Sequence, residues 1–329
     1  MIQANDPQDI NVCKLRCPIS NINDLPLFFS LVDYRNNLFT HNEPEKILEF
    51  YNGFDNRDQL IQWMKERPNG VSYFHEVEGD KDIIVVITTA DFNGKYAINC
   101  RENIFKGLHV IFVESGGKDD IYFNYAHNCN VGIKKAMEYN PKWIVVSNDD
   151  MIKIDDVDIL VSELKAFDYD KISVVFAKPS KYHSLPQVVG VPYFFAKIYY
   201  YSTKRMRLLY KLKKKFEISY TNASNQRIHR LFIKQERDFI NIIDFGIFSS
   251  KFILELKSDL FDEVFINHFE DTDLSLRISL NSYKIAISNY EIGSIRGGTF
   301  DDFSRELRSI PSLCYFNRSF SWTHPCFHK

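Results

Sequence analysis

No run of about 18 apolar residues occurs in this chain, so the sequence offers no candidate for a membrane-spanning helix. Neither sign of charge dominates. The 41 Lys and Arg are balanced by 43 Asp and Glu, a formal net charge of −2, which argues against nucleic acid as the main partner. The first residues, MIQANDPQDINV, are polar and carry no secretion signal. The expectation is a cytoplasmic protein, at most peripheral at the inner membrane face. None of the six cysteines forms a C-x-x-C pair. Cys13, Cys17, Cys314 and Cys326, with His324 and His328, are spaced too loosely for a strong zinc reading, and reduced or buried thiols fit better. No fixed-period repeat or low-complexity tract is present. Two nucleotide signatures are also missing. "ITTADFNGKYAINC" holds neither G-x-G-x-x-G nor G-x-x-x-x-G-K-[ST], so any phosphate is not held in a glycine cradle.

What is present is enough to bury a sizeable core: 329 residues, 45% of them apolar. That length suits one large α/β domain with an added piece, or two domains. Residues 1–80 read as an N-terminal extension. Within them "DNRDQLIQWMKERPNG" is a helix capped by Asp55 or Asn56, burying Leu60, Ile61 and Met64, and stopped by Pro68 and Gly70. "VEGDKD" marks a charged boundary. Four short β-branched runs follow: "DIIVVITTA" (82–90), "LHVIFVESGG" (108–117), "WIVVSNDD" (143–150) and "ISVVFAKP" (172–179). Continuous apolar strands of this kind are buried on both faces, as in a parallel sheet. Between the second and third, Tyr125, Cys129, Ile133 and Met137 recur every four residues. This is a crossover helix that Asp119 or Asp120 can cap and Asn140-Pro141 ends. "DDVDILVSELKAF" (155–167) supplies another. The expected fold is α/β, a mostly parallel central sheet with helices on both faces. The main domain spans 81–300, with a short helix and tail over 301–329.

Ligands of open α/β sheets collect at the carboxyl ends of the strands. Here those ends are Thr88-Thr89-Ala90-Asp91, Glu114-Ser115-Gly116-Gly117 and Asn148-Asp149-Asp150. Alone, Asn-Asp-Asp is a turn or a helix cap. The alternative is a site for a hard cation, which needs one or two carboxylates and leaves its other positions to phosphate and water. Asp150 fits that task, with Asn148 or Asp149 assisting. A second acidic cluster, "HFEDTDLSLR" (268–277), opens another apolar-periodic segment. Its carboxylates either cap a helix or do chemistry.

Taken in order along the chain, these pieces resemble the family 2 inverting glycosyltransferases, which have the GT-A fold. The family's first strand ends in a pattern like I-P-T-Y-N; here it is Ile87-Thr88-Thr89-Ala90-Asp91. V-D-N-G-S is matched by Val113-Glu114-Ser115-Gly116-Gly117, and N-x-G-I by Asn130-Val131-Gly132-Ile133. The D-x-D-like metal motif is matched by Asn148-Asp149-Asp150, and a hydrophobic G-x-F stretch by "DFGIFSSKFI" (244–253). F-x-E-D-x-D-L-x-x-R is matched by Phe269-Glu270-Asp271-Thr272-Asp273-Leu274-Ser275-Leu276-Arg277. The resemblance covers about residues 82–180 and 240–300. It departs at four places. Ala90 replaces the Tyr that can lie against a nucleobase, Glu114 replaces Asp, and Asn148 replaces the first metal-motif Asp, as in the branch of the family that reads NDD or NPD. Ser294-Ile295-Arg296-Gly297-Gly298 lacks the His that many relatives place before a closing G-G; Arg296 can instead face a diphosphate.

The resemblance implies transfer of a sugar from a nucleotide-diphosphate donor to a hydroxyl of a glycan or lipid-linked acceptor, with inversion. It implies a divalent metal, Mg²⁺ or Mn²⁺, on Asp150 and Asn148. Asp271 would be the general base, kept ionised by the helix dipole, and Glu270 would hold the acceptor or its loop. Asp273 would cap the helix and pair with Arg277. Thr89, Asp91, Glu114, Asn128, Asp149 and Arg296 would lie on the donor side. A catalytically inactive nucleotide-sugar binder or scaffold remains an alternative. So does a sugar-phosphate nucleotidyltransferase, although "TTADFNGK" lacks the Gly-rich, Arg-containing loop that class needs. Residues 193–235 form a variable insert, read as helical. Eight Lys or Arg fall between Lys197 and Lys215 with aromatics interleaved. Such a segment can lie on an anionic membrane surface, or it is a solvated helix face.

Overall fold

The computed structural model describes residues 53–115, 124–178, 244–256, 258–265, 268–280 and 283–295, with the short segments 187–190, 197–199, 218–220, 228–230, 236–239, 311–312 and 315. Arg296, the four terminal cysteines other than Cys100 and Cys129, His324, His328, Asp119, Asp120 and most of the basic stretch lie outside them. Cys100 and Cys129 are buried free thiols.

The strands are β1 (Tyr73–Val77), β2 (Asp80–Thr89), β3 (Leu108–Glu114), β4 (Trp143–Asn148), β5 (Met151–Lys153) and β6 (Val174–Phe176). After them come β7 (Gln187–Gly190), β8 (Lys197–Tyr199), β9 (Ile218–Tyr220), β10 (Ile228–Arg230), β11 (Glu236–Phe239), β12 (Phe245–Ser249), β13 (Ile285–Ile287) and β14 (Ile292–Ser294). The helices are α1 (Arg57–Glu66), α2 (Lys95–Asn99), α3 (Tyr125–Met137), α4 (Val157–Ala166), α5 (Ser250–Glu255) and α6 (Glu270–Leu280). Seven strands form the central sheet in the order β1-β3-β2-β4-β12-β6-β13.

The expected parallel core exists: β2 runs parallel to both β3 and β4. The sheet as a whole is mixed, which corrects the mostly parallel expectation. β12 is antiparallel to β4 and β6, and β1 is antiparallel to β3. The segment placed in the N-terminal extension thus supplies the sheet's edge strand through Tyr73–Val77. Residues 197–199 and 218–220 of the insert are strands, so the insert is not simply helical. β7, β8 and β11 form a three-stranded sheet, and β9 pairs with β10. β11 lies against α6.

Alternate residues of β2 serve two cores. Ile83, Val85 and Ile87 pack with Ala97, Cys100, Leu160 and Leu164 of the α2 and α4 side. Ile84 and Val86 pack with Cys129, Ile133, Phe252, Leu274 and Ile278 of α3, α5 and α6. Helices therefore cover both faces, and the strands read as unbroken apolar runs for that reason.

The helix boundaries have local causes. Asn56 caps α1 by accepting from the Asp58 and Gln59 amides. Asn124, not Asp119 or Asp120, caps α3, accepting from His127 N at 3.0 Å. Asn140 ends that helix's turn with φ 53°, the left-handed stop that Asn tolerates. Gly132 lets α3 press onto the sheet. A Cβ there would sit 2.4 Å from Val86 Cγ1 and 2.7 Å from Val113 Cγ2. Both contacts are stiff, buried side chains, so Gly132→Ala is expected to cost about 1–3 kcal/mol, read as a lower midpoint in urea with unchanged slope.

Candidate active site

Register brings the sequence-predicted residues to one edge. On the parallel strands Thr89 lies beside Glu114, and Thr88 beside Asn148. β12 runs the opposite way, so its amino end meets the carboxyl end of β4. Phe245 pairs with Ser147, and Asn148 N donates to Asp244 O at 3.0 Å. Asp244 is a site residue that the sequence reading missed. Its only sequence signal is an acid directly before a buried apolar run.

Thr89 and Asp149 meet directly: the Thr89 hydroxyl donates to Asp149 Oδ2 at 2.6 Å. Burial raises the Asp149 carboxyl above its ordinary range, the Thr89 bond offsets part of this, and the charge of Asp150 adds to the rise. Asp150 sits in the turn between β4 and β5. Its carbonyl accepts from Ile295 N at 3.0 Å, just past β14, which pairs with β5. Among the described residues no three His, Cys, Asp or Glu side chains group as a metal site. The edge instead offers two neighbouring carboxylates that repel one another. That donor set fits a hard cation of the Mg²⁺ type, which uses one or two carboxylates.

Asn148 is turned inward. Its Oδ1 accepts from the Tyr125 hydroxyl at 2.8 Å, and its Nδ2 donates to Asp244 Oδ1 at 3.3 Å. Tyr125, the first residue of α3, was also missed as a site residue. The sequence showed it only as one member of an apolar stripe.

The second acidic cluster opens α6 after two residues in left-handed backbone, His268 (φ 69°) and Phe269 (φ 70°). Such a conformation costs a non-glycine residue about 1–2 kcal/mol, so the lead-in to Glu270 and Asp271 is strained. Asp271 accepts from Thr272 N at 2.6 Å. Its carboxyl is raised well above the ordinary range, first by burial; the Thr272 bond opposes this, and the nearby charge of Asp244 adds to it. The sequence expectation is a carboxylate held ionised by the helix dipole, and burial acts against that dipole. Glu270 is 6% exposed, and its Oε2 has no hydrogen-bond partner. Burial raises it strongly, with the Asp271 charge next. Its charge is also felt at Tyr125 and Cys129 of α3. Asp273 pairs with Arg277 at 2.7 Å, as expected.

Hydrogen bonds therefore join Asn148 to Tyr125 and to Asp244, while the charge of Asp244 is felt at Asp271 and that of Glu270 at Tyr125. The remaining candidates are held separately. Glu114 is bound by His75 Nε2 of β1 at 2.5 Å, and the His75 ring stacks on Phe92, 4.3 Å between centroids. Asn128 is buried and accepts from the Ser72 hydroxyl at 2.7 Å while its amide donates to Ser115. It pins the end of β3 and is not on a polar outer face. Asp91 is exposed and closes a turn by accepting from Asn93 N at 2.9 Å. Asn130 holds the loop before α6 by donating to Phe261 O and accepting from Phe261 N. A cavity between α5 and α6, lined by Phe252, Leu274, Ile278 and Tyr283, includes neither Asp150, Asp244 nor Asp271 and is not this site.

Compared with known protein families and with curated proteins, the chain matches none.

Proposed function

We propose that this protein is an inverting glycosyltransferase of the GT-A type, moving a sugar from a nucleotide-diphosphate donor to a glycan or lipid-linked hydroxyl. One observation carries the reading: Asp244 links the carboxyl edge of β4 to the start of α6. Asn148 donates to it, and its charge acts on Asp271. Two acidic clusters about 120 positions apart in the chain thereby share one neighbourhood.

In this reading the acceptor oxygen forms a bond to the anomeric carbon while the bond to the diphosphate oxygen breaks. The bonding pair leaves with the diphosphate. Asp271 takes the acceptor's hydroxyl proton, a role for which a carboxylate with a raised affinity for protons suits a reaction near neutral pH. Asp150, with Asp149 held by Thr89, would bind Mg²⁺ or Mn²⁺, which when bound supplies positive charge to the departing diphosphate. Glu114, fixed by His75, lies on the donor side. Glu270 opens the base's helix and would hold the acceptor or its loop. β11, which follows directly on the insert, lies against α6, so the variable segment leads into structure beside the base, where an acceptor would be chosen. No helix among the described residues is long and apolar enough to cross a membrane.

The test is a thermal-shift screen of the full chain against UDP- and GDP-hexoses, with and without Mn²⁺. A binder at 100 times its Kd stabilises by about 2.7 kcal/mol. At least one nucleotide sugar is expected to raise Tm only when Mn²⁺ is present, and Asp150→Asn is expected to abolish that dependence. No shift with any member of the panel would sink the proposal.

A further inference from the structure

Asn148 stands where the resembled family has its first metal-motif Asp, yet its side chain is already committed. The partners on its two ends differ in kind. Tyr125 brings a hydroxyl that donates, at 2.8 Å, and Asp244 brings a carboxylate that accepts, at 3.3 Å. An amide has one acceptor and one donor end and matches both. A carboxylate at this position would keep the Tyr125 bond and meet Asp244 with like charge. The backbone leaves no room to step aside, because Asn148 N is bonded to Asp244 O at 3.0 Å and Thr88 pairs alongside.

We propose that Asn148 is a positioning residue that fixes Asp244 and Tyr125 at the carboxyl edge of β4, and that it is not a ligand of the divalent cation. This rests on the metal-dependent reading of the site only for the cation clause. The departure from an Asp is then a requirement of the Asp244 contact, not a weakened metal site.

The experiment compares the wild type with Asn148→Asp, Asp150→Asn and the exchange Asn148→Asp/Asp244→Asn, all in the full chain. Binding of Mn²⁺ alone is followed by the electron paramagnetic resonance of the free ion, and stability by urea unfolding. Asn148→Asp is expected to lower the urea midpoint and to bind Mn²⁺ no tighter than wild type. The exchange reverses donor and acceptor across the same contact, and is expected to recover most of the lost midpoint, a coupling that two independent sites do not show. With any member of the UDP- and GDP-hexose panel that is turned over, Asn148→Asp is expected to lower kcat about 10- to 100-fold at unchanged donor KM, as misplacement of reacting groups does. Tighter Mn²⁺ binding by Asn148→Asp, or no recovery in the exchange, would overturn the inference. Asp150→Asn reports on the function itself. If it leaves Mn²⁺ binding unchanged, the metal reading fails while the exchange still decides the role of Asn148.

Discussion

Asp271→Asn is expected to lower turnover of the nucleotide sugar by about 10²–10⁴-fold, the usual range for loss of a general base, while donor binding with Mn²⁺ stays near the wild-type level. The amide fills the same volume and can still accept from Thr272 N, which bonds Asp271 Oδ1 at 2.6 Å, so the start of α6 keeps its shape. What it loses is the ability to take a proton. In the proposed reaction the same residue sets the direction of the pH profile. A base works only when deprotonated, and burial holds the Asp271 carboxyl above its ordinary range. The rate should therefore rise with pH through that raised value. An unperturbed Asp titrates near pH 3.9, so kcat/KM would be flat above about pH 5. A sloping limb well above pH 5 is expected instead. Asp244→Asn removes a charge that pushes Asp271 up, and should move the limb to lower pH. A flat profile, or full activity in Asp271→Asn, would remove Asp271 from the chemistry.

The sheet edge was legible because a strand buried on both faces leaves an unbroken β-branched run. "DIIVVITTA" and "WIVVSNDD" declare both the strand and the place where it stops. Asp149, Asp150 and Thr89 followed from that. Asp244 did not, because it acts at the amino end of its strand. Only the antiparallel pairing of β12 with β4 carries it to the carboxyl edge of β4, and pairing direction is not written in a five-residue apolar stretch. Tyr73–Val77 was assigned to an extension for a related reason. As an edge strand it is mostly exposed and carries His75 and Glu76, so it lacks the apolar continuity of its neighbours. Its His75 nonetheless reaches Glu114 across the pairing with β3. The raised Asp271 carboxyl is not legible in sequence, because the helix dipole is visible there and burial against other elements is not.

The same burial makes Glu270 a liability for stability. Its carboxyl is 6% exposed, Oε2 has no partner, and burial raises its affinity for protons far above that of the unfolded chain. An unfolded Glu titrates near pH 4.3. Between that value and the raised folded value, the folded protein binds more protons than the unfolded one. Stability must then fall as pH rises through this window. Below about pH 4 both states are protonated and the penalty vanishes. Gln has the same shape and no charge to desolvate. Glu270→Gln is therefore expected to stabilise the protein by about 1–2 kcal/mol at pH 8, within the range common for substitutions that relieve a strained functional site. The gain should shrink steadily toward pH 4. Urea unfolding of both proteins at pH 4, 6 and 8 measures it. An equal or lower midpoint for Glu270→Gln at pH 8 would mean that the buried carboxyl is matched by a favourable contact. A gain independent of pH would assign the effect to packing. Asp271 accepts from Thr272 N and Asp273 is paired with Arg277, so of the three acids opening α6, Glu270 is the one whose removal should stabilise the fold most.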